Sequence, residues 1–213
     1  AAYGIGSGSG GLAAHAEEAV VAAAMSNKPV VLKIQSPDIP HNSEAKGIAI
    51  NVTGAQAVAT AYEAIIDAAN AYNPDADIHG VLVQPMAADG VEVILGIHRD
   101  DTFGPLLMLG LGGIHVEILG DKVFAPVPLT EPEASELIER LKAKALLSGA
   151  RGTEPADIDA LIDIIVRLSN FAADHADRIE EIDLNPVRVH PEGEGEGGGV
   201  SVLDALIIQR RPP

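Results

Sequence analysis

Two stretches near the carboxyl end decide the fold: Glu181-Ile-Asp-Leu-Asn-Pro-Val-Arg-Val189 and, after a spacer rich in glycine and glutamate, Val200-Ser-Val-Leu-Asp-Ala205. Both have the composition of β-strands, and residues two apart on a strand share a face, as Asp183 and Asn185 would. If the stretches pair as a hairpin, the carboxylate of Asp204 joins them. Three oxygen donors without any thiolate favour a hard cation such as Mg²⁺, and hence phosphate chemistry. The alternative is turn chemistry, because asparagine before proline commonly starts a turn.

The bulk composition limits the class of protein. The 213 residues, 47% of them apolar, suffice for one large domain or two small lobes. With 31 acidic and 14 basic residues the net charge is −17, which argues against a nucleic-acid binder and against attraction to an anionic membrane. The chain has no cysteine, no apolar run long enough to span a membrane and no amino-terminal signal. We therefore expect a soluble cytoplasmic protein.

Hydrophobic periodicity predicts a mixture of helices and strands. Besides the two carboxyl-terminal stretches, strands are expected at residues 29–34, 47–52, 78–84, 90–98, 105–111, 116–119 and 123–128. Helices are expected at residues 15–26, 53–72, 132–147 and 157–173. Residues 1–5 read as the end of a helix, and residues 6–11 have the composition of a flexible linker. Strands and helices do not alternate regularly, which favours an α+β fold over a doubly wound sheet.

Three places in the first half of the chain could contact a ligand. Lys33 lies inside an apolar strand, where it is either a solvated edge residue or a cation aimed at phosphate. His41 lies in a polar loop and is either an exposed imidazole or a functional residue. The strand ending at Gln84-Pro-Met86 offers backbone groups that could read an adenine edge, unless it is an ordinary strand end.

The glycine-rich run Gly110-Leu-Gly-Gly113 could let backbone approach phosphate. It lacks the Gly-Lys-Ser/Thr of a P-loop and the spacing of a dinucleotide fingerprint, so it is a weak motif alone. Glu117 after it is either a carboxylate at a cleft or an exposed strand residue. Glu92 is expected on the strand face opposite Val91 and Val93. Neither a serine-hydrolase elbow nor a zinc-binding spacing occurs.

Taken in order, these segments resemble the ATP-grasp domain of the NDP-forming acyl-CoA synthetases. The resemblance is to the beta subunit or carboxyl-terminal part of ADP-forming acetate–CoA ligase, a relative of succinyl-CoA synthetase beta. It covers nearly the whole chain, and the ordered set is far more specific than any one motif. The matching residues are 1–5, 29–34, 36–41, 80–86, 90–100, 103–105, 110–114, 116–117, 149–152, 181–186 and 204–205.

The resemblance implies a single ATP-grasp domain over residues 1–213, with a smaller lobe at 12–84, a larger lobe at 85–213 and ATP between them. It implies a role for each candidate residue. Asn185 and Asp204 would be Mg²⁺ ligands, and Asp183 would face a phosphohistidine. His41 would match the histidine that family members use on this side of the phosphoryl relay. The nucleotide would be held by Lys33 at its phosphates, by Gln84, Pro85 and Met86 at its adenine, and by Glu92 and Glu117.

The implied reaction is the reversible conversion of an acid, CoA and ATP into acyl-CoA, ADP and phosphate. A CoA-binding domain and a domain carrying the main phosphorylated histidine are expected in an alpha subunit or in further domains, within an oligomeric enzyme. The chain departs from the family's His-Lys-Ser/Thr-Glu/Asp-x-Gly-Gly-Val pattern at Asn42 and Lys46, from Asp-Ala-Arg at Leu206, and from a Pro-containing turn at residues 6–11. These departures leave two alternatives open, a non-catalytic nucleotide-binding module and an ATP-grasp carboxylate–amine ligase.

Overall fold

The computed structural model describes residues 2–6, 8–40, 42–113, 120–149, 154–193 and 199–210. His41, Glu117 and the expected strand at 116–119 lie outside this part of the chain. The chain forms two compact units, Gly8–Met86 and a larger one made of Ala1–Ser7 and Ala87–Pro213. The smaller unit starts before the expected boundary at residue 12 because Gly11 already pairs with Val83 in its sheet.

The smaller unit is a four-stranded sheet of order β1-β4-β2-β3 with two helices. All its strand pairs are antiparallel. Alternate residues of the central strands, such as Leu32 and Val83, pack against helical residues such as Ile65 in one apolar core. Its elements are β1 (Gly11–Ala13), α1 (Ala16–Ala24), β2 (Val30–Gln35), β3 (Ile48–Val52), α2 (Ala55–Tyr72) and β4 (Gly80–Pro85).

Tyr62 fixes α2 to the start of this unit. Its ring is buried, and its hydroxyl donates a hydrogen bond of 2.6 Å to the carbonyl of Ala14. Burial raises the pKa of the Tyr62 hydroxyl, because the phenolate would be poorly solvated there. A buried hydroxyl with its acceptor adds directional contact to the apolar packing.

The larger unit is a six-stranded antiparallel sheet of order β10-β8-β5-β6-β7, with β9 paired to β8 beside β10. Its core joins alternate residues of β5 and β6, such as Leu95 and Leu109, to helical residues such as Leu161 and Leu168. The elements are β5 (Val91–Asp100), β6 (Gly104–Leu111), β7 (Lys122–Pro126), α3 (Glu131–Glu139), a 3₁₀ turn (Lys144–Leu146), α4 (Ile158–Asp174), β8 (Ile179–Val189), β9 (Val200–Val202) and β10 (Ala205–Gln209).

In the described part of the larger unit, α3 and α4 each begin at a side-chain cap. Asp157 accepts a hydrogen bond of 2.9 Å from the backbone N–H of Ala160 at the start of α4. At the start of α3 the carboxylate of Glu133 accepts from the backbone N–H and the hydroxyl of Thr130. These two donors hold the pKa of Glu133 below its ordinary value.

The α+β class and the carboxyl-terminal hairpin are confirmed, but four predicted segments differ from the structure. Residues 1–5 are not helical over the described positions. The supposed linker at 6–11 runs into β1, and Gly10 lies where a Cβ atom would be 2.9 Å from the carbonyl oxygen of Val83. Gly10 therefore permits close approach to a neighbouring strand, which composition alone reads as flexibility.

The helix expected at 132–147 ends at Glu139. The carboxylate of Asp121 accepts the backbone N–H groups of Lys142 at 3.0 Å and Ala143 at 2.8 Å. It thereby caps a new turn from a distant part of the sequence, which no local pattern could reveal. The last expected strand, residues 200–205, is two strands, because Leu203 and Asp204 form the break between β9 and β10.

Among the described residues, no helix combines the length and the apolar character needed to cross a membrane.

Candidate functional site

In each unit, strand alternation puts the candidate residues on the sheet face turned away from the core, which we call the outer face. In the smaller unit Lys33 lies between Leu32 and Ile34, both of which point into the core. In the larger unit Asp183 lies between Ile182 and Leu184, which do the same. Alternate residues of a strand point to opposite faces, so Lys33 and Asp183 each belong to the outer face of their own sheet.

Lys33 is only 8% exposed, although it is on the outer face. Its strand lies between β3 and β4, where Lys33 is opposite Ile48 and Leu82. The alternative of a solvated lysine on an edge strand is therefore wrong. Burial of an ammonium group is costly unless an anion or hydrogen-bond acceptor compensates it, so this position calls for a negatively charged neighbour or ligand.

Gln84 is on the same outer face, because β4 pairs with β2 so that Leu82 opposes Lys33 and Gln84 opposes Val31. The side-chain amide of Gln84 donates to the carbonyl of Gly8 at 3.3 Å. Pro85 has no N–H, and the N–H of Met86 donates to the carbonyl of Pro29 at 2.8 Å. Any adenine contact by Pro85 or Met86 thus rests on carbonyl groups or side chains.

Glu92 is also on an outer face, and it has a partner that sequence reasoning missed. It is opposite Arg188 of β8, whose Nη2 donates to the Glu92 carboxylate. A Cβ atom on Gly112 would be 2.8 Å from the Cβ of Glu92, so glycine at this position lets the chain at the end of β6 lie close to β5. The Gly110-Leu-Gly-Gly113 run therefore begins opposite Ile94 and reaches Glu92 at Gly112.

Arg188 was missed because β8 changes its alternation. Counting by twos from Asp183 and Asn185 would put Val187 on the outer face and Arg188 in the core. Instead β8 has an irregularity opposite β5, where the register shifts between Val93 and Leu95. A bulge of this kind turns the following side chains to the other face, so Val187 is buried and Arg188 is on the outer face.

The structure places Asn185 and Asp204 beside each other. The backbone N–H of Asn185 donates to the carbonyl of Asp204 at 3.2 Å, and the next residues, Leu184 and Ala205, are paired in the β8–β10 ladder. Asp183 is one step further along the same face, opposite Leu206. Opposed residues of an antiparallel pair start from neighbouring backbone positions, so a ligand shared by the Asn185 amide and the Asp204 carboxylate is a prediction that this backbone arrangement supports.

This donor set fits Mg²⁺. In the described part of the chain no three His, Cys, Asp or Glu residues form a metal-binding cluster. Mg²⁺ does not need one, because it is commonly held by one or two protein carboxylates while phosphate oxygens and water complete its shell. An amide oxygen beside a carboxylate is chemically suited to that role, and metal binding by Asn185 and Asp204 remains a prediction.

The loop after β2 carries two of the departures from the family pattern, Asn42 and Lys46. Lys46 has a backbone φ of 52°, in the left-handed region that favours glycine. The next residue, Gly47, donates its N–H to the carbonyl of Asn42 at 2.8 Å. The backbone at this position therefore has a conformation suited to the glycine of the family pattern, although the residue in this chain is a lysine.

The chain belongs to the ATP-grasp family, because the family model for an ATP-grasp domain matches residues 1–208. It is 44% identical, over 97% of its length and 86% of the relative's, to the beta subunit of the ADP-forming acetate–CoA ligase II of Pyrococcus furiosus. It is 43% identical to the ADP-forming 4-hydroxybutyrate–CoA ligase of Nitrosopumilus maritimus, over 91% of this chain but only 28% of that longer protein.

A solved relative is the dinucleotide-forming acetyl-coenzyme A synthetase 1 of Candidatus Korarchaeum cryptofilum. Its complex with coenzyme A and Ca-AMPCP superposes with a TM-score of 0.89 at 41% identity, covering 98% of this chain and 88% of that chain. Another structure of the same protein contains Mg-AMPPCP and a phosphohistidine segment pointing towards the nucleotide binding site. The resemblance to the acyl-CoA synthetases is thus confirmed, while the roles of individual residues stay predictions.

Proposed function

We propose that this chain is the nucleotide-binding part of an ADP-forming acyl-CoA synthetase, which exchanges a phosphoryl group between ATP and a histidine of a partner. The observation that carries the proposal is the neighbouring placement of Asn185 and Asp204 on the outer face of the larger sheet. Membership of the ATP-grasp family and similarity to a ligase beta subunit support it.

In this proposal the smaller unit supplies contacts to the base and phosphates of the nucleotide. The buried ammonium group of Lys33 balances phosphate charge. Gln84, Pro85 and Met86 border the adenine. Phosphoryl transfer spreads negative charge over the transferred group, so a fixed cation there stabilises the transition state.

The larger unit supplies the carboxylates. Asn185 and Asp204 would hold Mg²⁺, which when bound neutralises charge on the phosphate oxygens. Asp183, on the same face, would accept a hydrogen bond from the histidine that carries the phosphoryl group and so orient its imidazole. His41, Glu92 and Glu117 complete the proposed set.

CoA binding and the main phosphorylated histidine belong, in this proposal, to a partner subunit or to further domains. The chain spans 86% of the Pyrococcus furiosus beta subunit but 28% of the single-chain Nitrosopumilus maritimus ligase. The full reaction would join a carboxylic acid to CoA at the expense of ATP. The substrate is proposed only as a carboxylic acid, because the relatives named for acetate and 4-hydroxybutyrate are 44% and 43% identical to the chain.

Calorimetric titration with ADP, with and without Mg²⁺, tests the proposal on wild type and on Asp204→Ala. We expect Mg²⁺ to strengthen ADP binding to wild type, and the substitution to remove most of that gain, roughly 10-fold or more for a lost charged ligand. Asp101→Ala removes an exposed carboxylate from the same unit and serves as the matched control. Equal Mg²⁺ dependence in wild type and Asp204→Ala would refute the assigned ligand.

The left-handed backbone of Lys46 favours one second candidate, a module that binds nucleotide without transferring phosphate. A lysine side chain where the family pattern has glycine adds bulk to a loop that would lie close to phosphate. Exchange of label between ATP and ADP in the presence of the phosphorylated partner separates the two. Exchange supports the synthetase, and binding without exchange supports the module.

A further inference from the structure

The segment that links Met86 to strand β5 is held by side chains of the larger unit. Residues 87–90 form neither helix nor strand. The carbonyl of Ala88 accepts a hydrogen bond from Arg188 Nη1 at 3.4 Å, and the carbonyl of Asp89 is 2.9 Å from His190 Nδ1. Both donors come from the end of β8 or the residue just after it. Arg188 and His190 therefore hold the backbone at Ala88 and Asp89, which follow the predicted adenine strand and precede Glu92.

Arg188 joins this segment to Glu92. The same guanidinium donates through Nη1 to the Ala88 carbonyl and through Nη2 to the Glu92 carboxylate. Arg188 and Glu92 are opposed on neighbouring strands, and their side chains are only 17% and 35% exposed. The planar guanidinium of arginine can donate to two acceptors at once, whereas the single ammonium group of a lysine has a different reach and geometry.

His190 is fully buried, with an acceptor or donor at each ring nitrogen. A carbonyl oxygen can only accept, so the contact to Asp89 requires the proton on Nδ1. In the neutral ring Nε2 is then the acceptor, and the hydroxyl of Ser201 donates to it at 2.8 Å. The ring thus connects the linking segment to β9.

The linking segment also touches β8 directly. A Cβ atom on Gly90 would be 2.4 Å from the carbonyl oxygen of Val189, so only glycine allows this approach. This contact prevents a larger residue at position 90, but it does not fix the orientation of the Ala88 and Asp89 carbonyl groups. That orientation falls to the hydrogen bonds from Arg188 and His190.

We propose that Arg188 and His190 are positioning residues for the nucleotide: they fix the segment between the predicted adenine strand and Glu92, and Arg188 also orients the Glu92 carboxylate. The proposal rests on the proposed function, since it assumes that Met86 and Glu92 border the nucleotide. Neither residue needs to touch the ligand. A shift of a positioning group by about 1 Å is enough to weaken a preorganised site strongly.

Matched substitutions of His190 separate positioning from packing. The amide nitrogen of His190→Asn takes the place of Nδ1 and can still donate to Asp89, whereas that of His190→Gln takes the place of Nε2 and cannot. By titration with ADP and Mg²⁺, we expect the asparagine variant to bind within about 3-fold of wild type and the glutamine variant at least roughly 10-fold more weakly. If the ring merely fills space, the order reverses, because glutamine is closer to histidine in volume.

Arg188→Met and Arg188→Lys test the second anchor. We expect both to weaken ADP binding by about 10- to 100-fold, with lysine failing to rescue because it cannot reproduce the two-acceptor fork. Arg167→Met is a matched control, since Arg167 also pairs with a carboxylate, Asp163, and donates to a backbone carbonyl, Gly4 at 3.2 Å. It should lower the melting temperature without changing ADP affinity.

The outcomes distinguish this inference from the function on which it rests. Absence of ADP binding by the wild-type chain would refute the proposed function itself. Binding by wild type with unchanged affinity in His190→Gln, Arg188→Met and Arg188→Lys would overturn the positioning roles alone. Should the methionine variant fail to fold, the His190 pair and Arg188→Lys still decide, because each keeps a polar side chain of similar size.

Discussion

The two sheets follow the same plan but present different charged groups on their outer faces. The four-stranded sheet presents Lys33, and the six-stranded sheet presents Glu92 and Asp183, with Asn185 and Asp204 beside them. Each sheet buries its other face under helices. The comparison teaches that strand alternation puts a buried cation on the outer face of one sheet and carboxylates on the outer face of the other, and the proposed phosphoryl transfer would use both kinds of group.

The largest expected effect comes from removing the cation. Lys33→Met keeps the length of the side chain and loses its charge, and we expect ADP binding to weaken by roughly 100-fold, as for a lost charge-assisted contact to phosphate. Lys28→Met, at an exposed position in the same unit, is the control and should bind as wild type. Calorimetry on folded protein, checked by circular dichroism, gives both values.

Retention of wild-type affinity in Lys33→Met would break the comparison. The outer face of the smaller sheet would then carry a buried lysine with a structural role only. The larger sheet, with Asn185 and Asp204, would have to account for nucleotide binding alone.

The core face of the smaller sheet provides the second test. A Cβ atom on Gly47 would be 2.4 Å from Cγ2 of Ile34, a side chain that is completely buried on the core face of β2. Gly47→Ala should therefore lower the free energy of unfolding by about 1–3 kcal/mol through overpacking. Urea titration measures this change.

Gly6→Ala is the control for that test, because a Cβ atom there has nothing within 4 Å. It should leave stability within about 0.5 kcal/mol of wild type. A similar loss in both alanine variants would mean that contact with Ile34 is not the cause of the loss at Gly47.

Much of this plan could be predicted from the sequence, because alternation and turn residues are local signals. The strands that contain Lys33 and Asp183 were placed within one or two residues at most ends, and the hairpin that brings Asn185 to Asp204 follows from two neighbouring apolar runs. The outer-face position of Glu92 also follows from alternation with Val91 and Val93.

What could not be predicted depends on contacts distant in sequence. The role of Arg188 depends on a register irregularity opposite β5, and that of Asp121 depends on a turn about twenty residues later. Gly10 reads as linker because composition does not reveal the carbonyl of Val83 beside it. The roles assigned to His41 and Glu117 stay predictions, since both lie outside the described residues.

The smallest expected effect is a change in stability caused by substituting Lys46, in the loop that follows β2 of the smaller sheet. Lys46 has a φ of 52°, a conformation that costs a non-glycine residue about 1–2 kcal/mol. Replacing it by glycine removes this cost, but glycine has more conformational freedom in the unfolded chain, which offsets part of the gain. Lys46→Gly should therefore raise the free energy of unfolding by roughly 0.5–1 kcal/mol in a urea titration. Asn51→Gly, at a φ of 58°, should gain less stability, because asparagine tolerates this region.

If Lys46→Gly also increases exchange between ATP and ADP with the phosphorylated partner, the lysine limits turnover rather than nucleotide binding. A loss of stability would instead mean that the Lys46 side chain makes contacts worth more than the strain of its backbone.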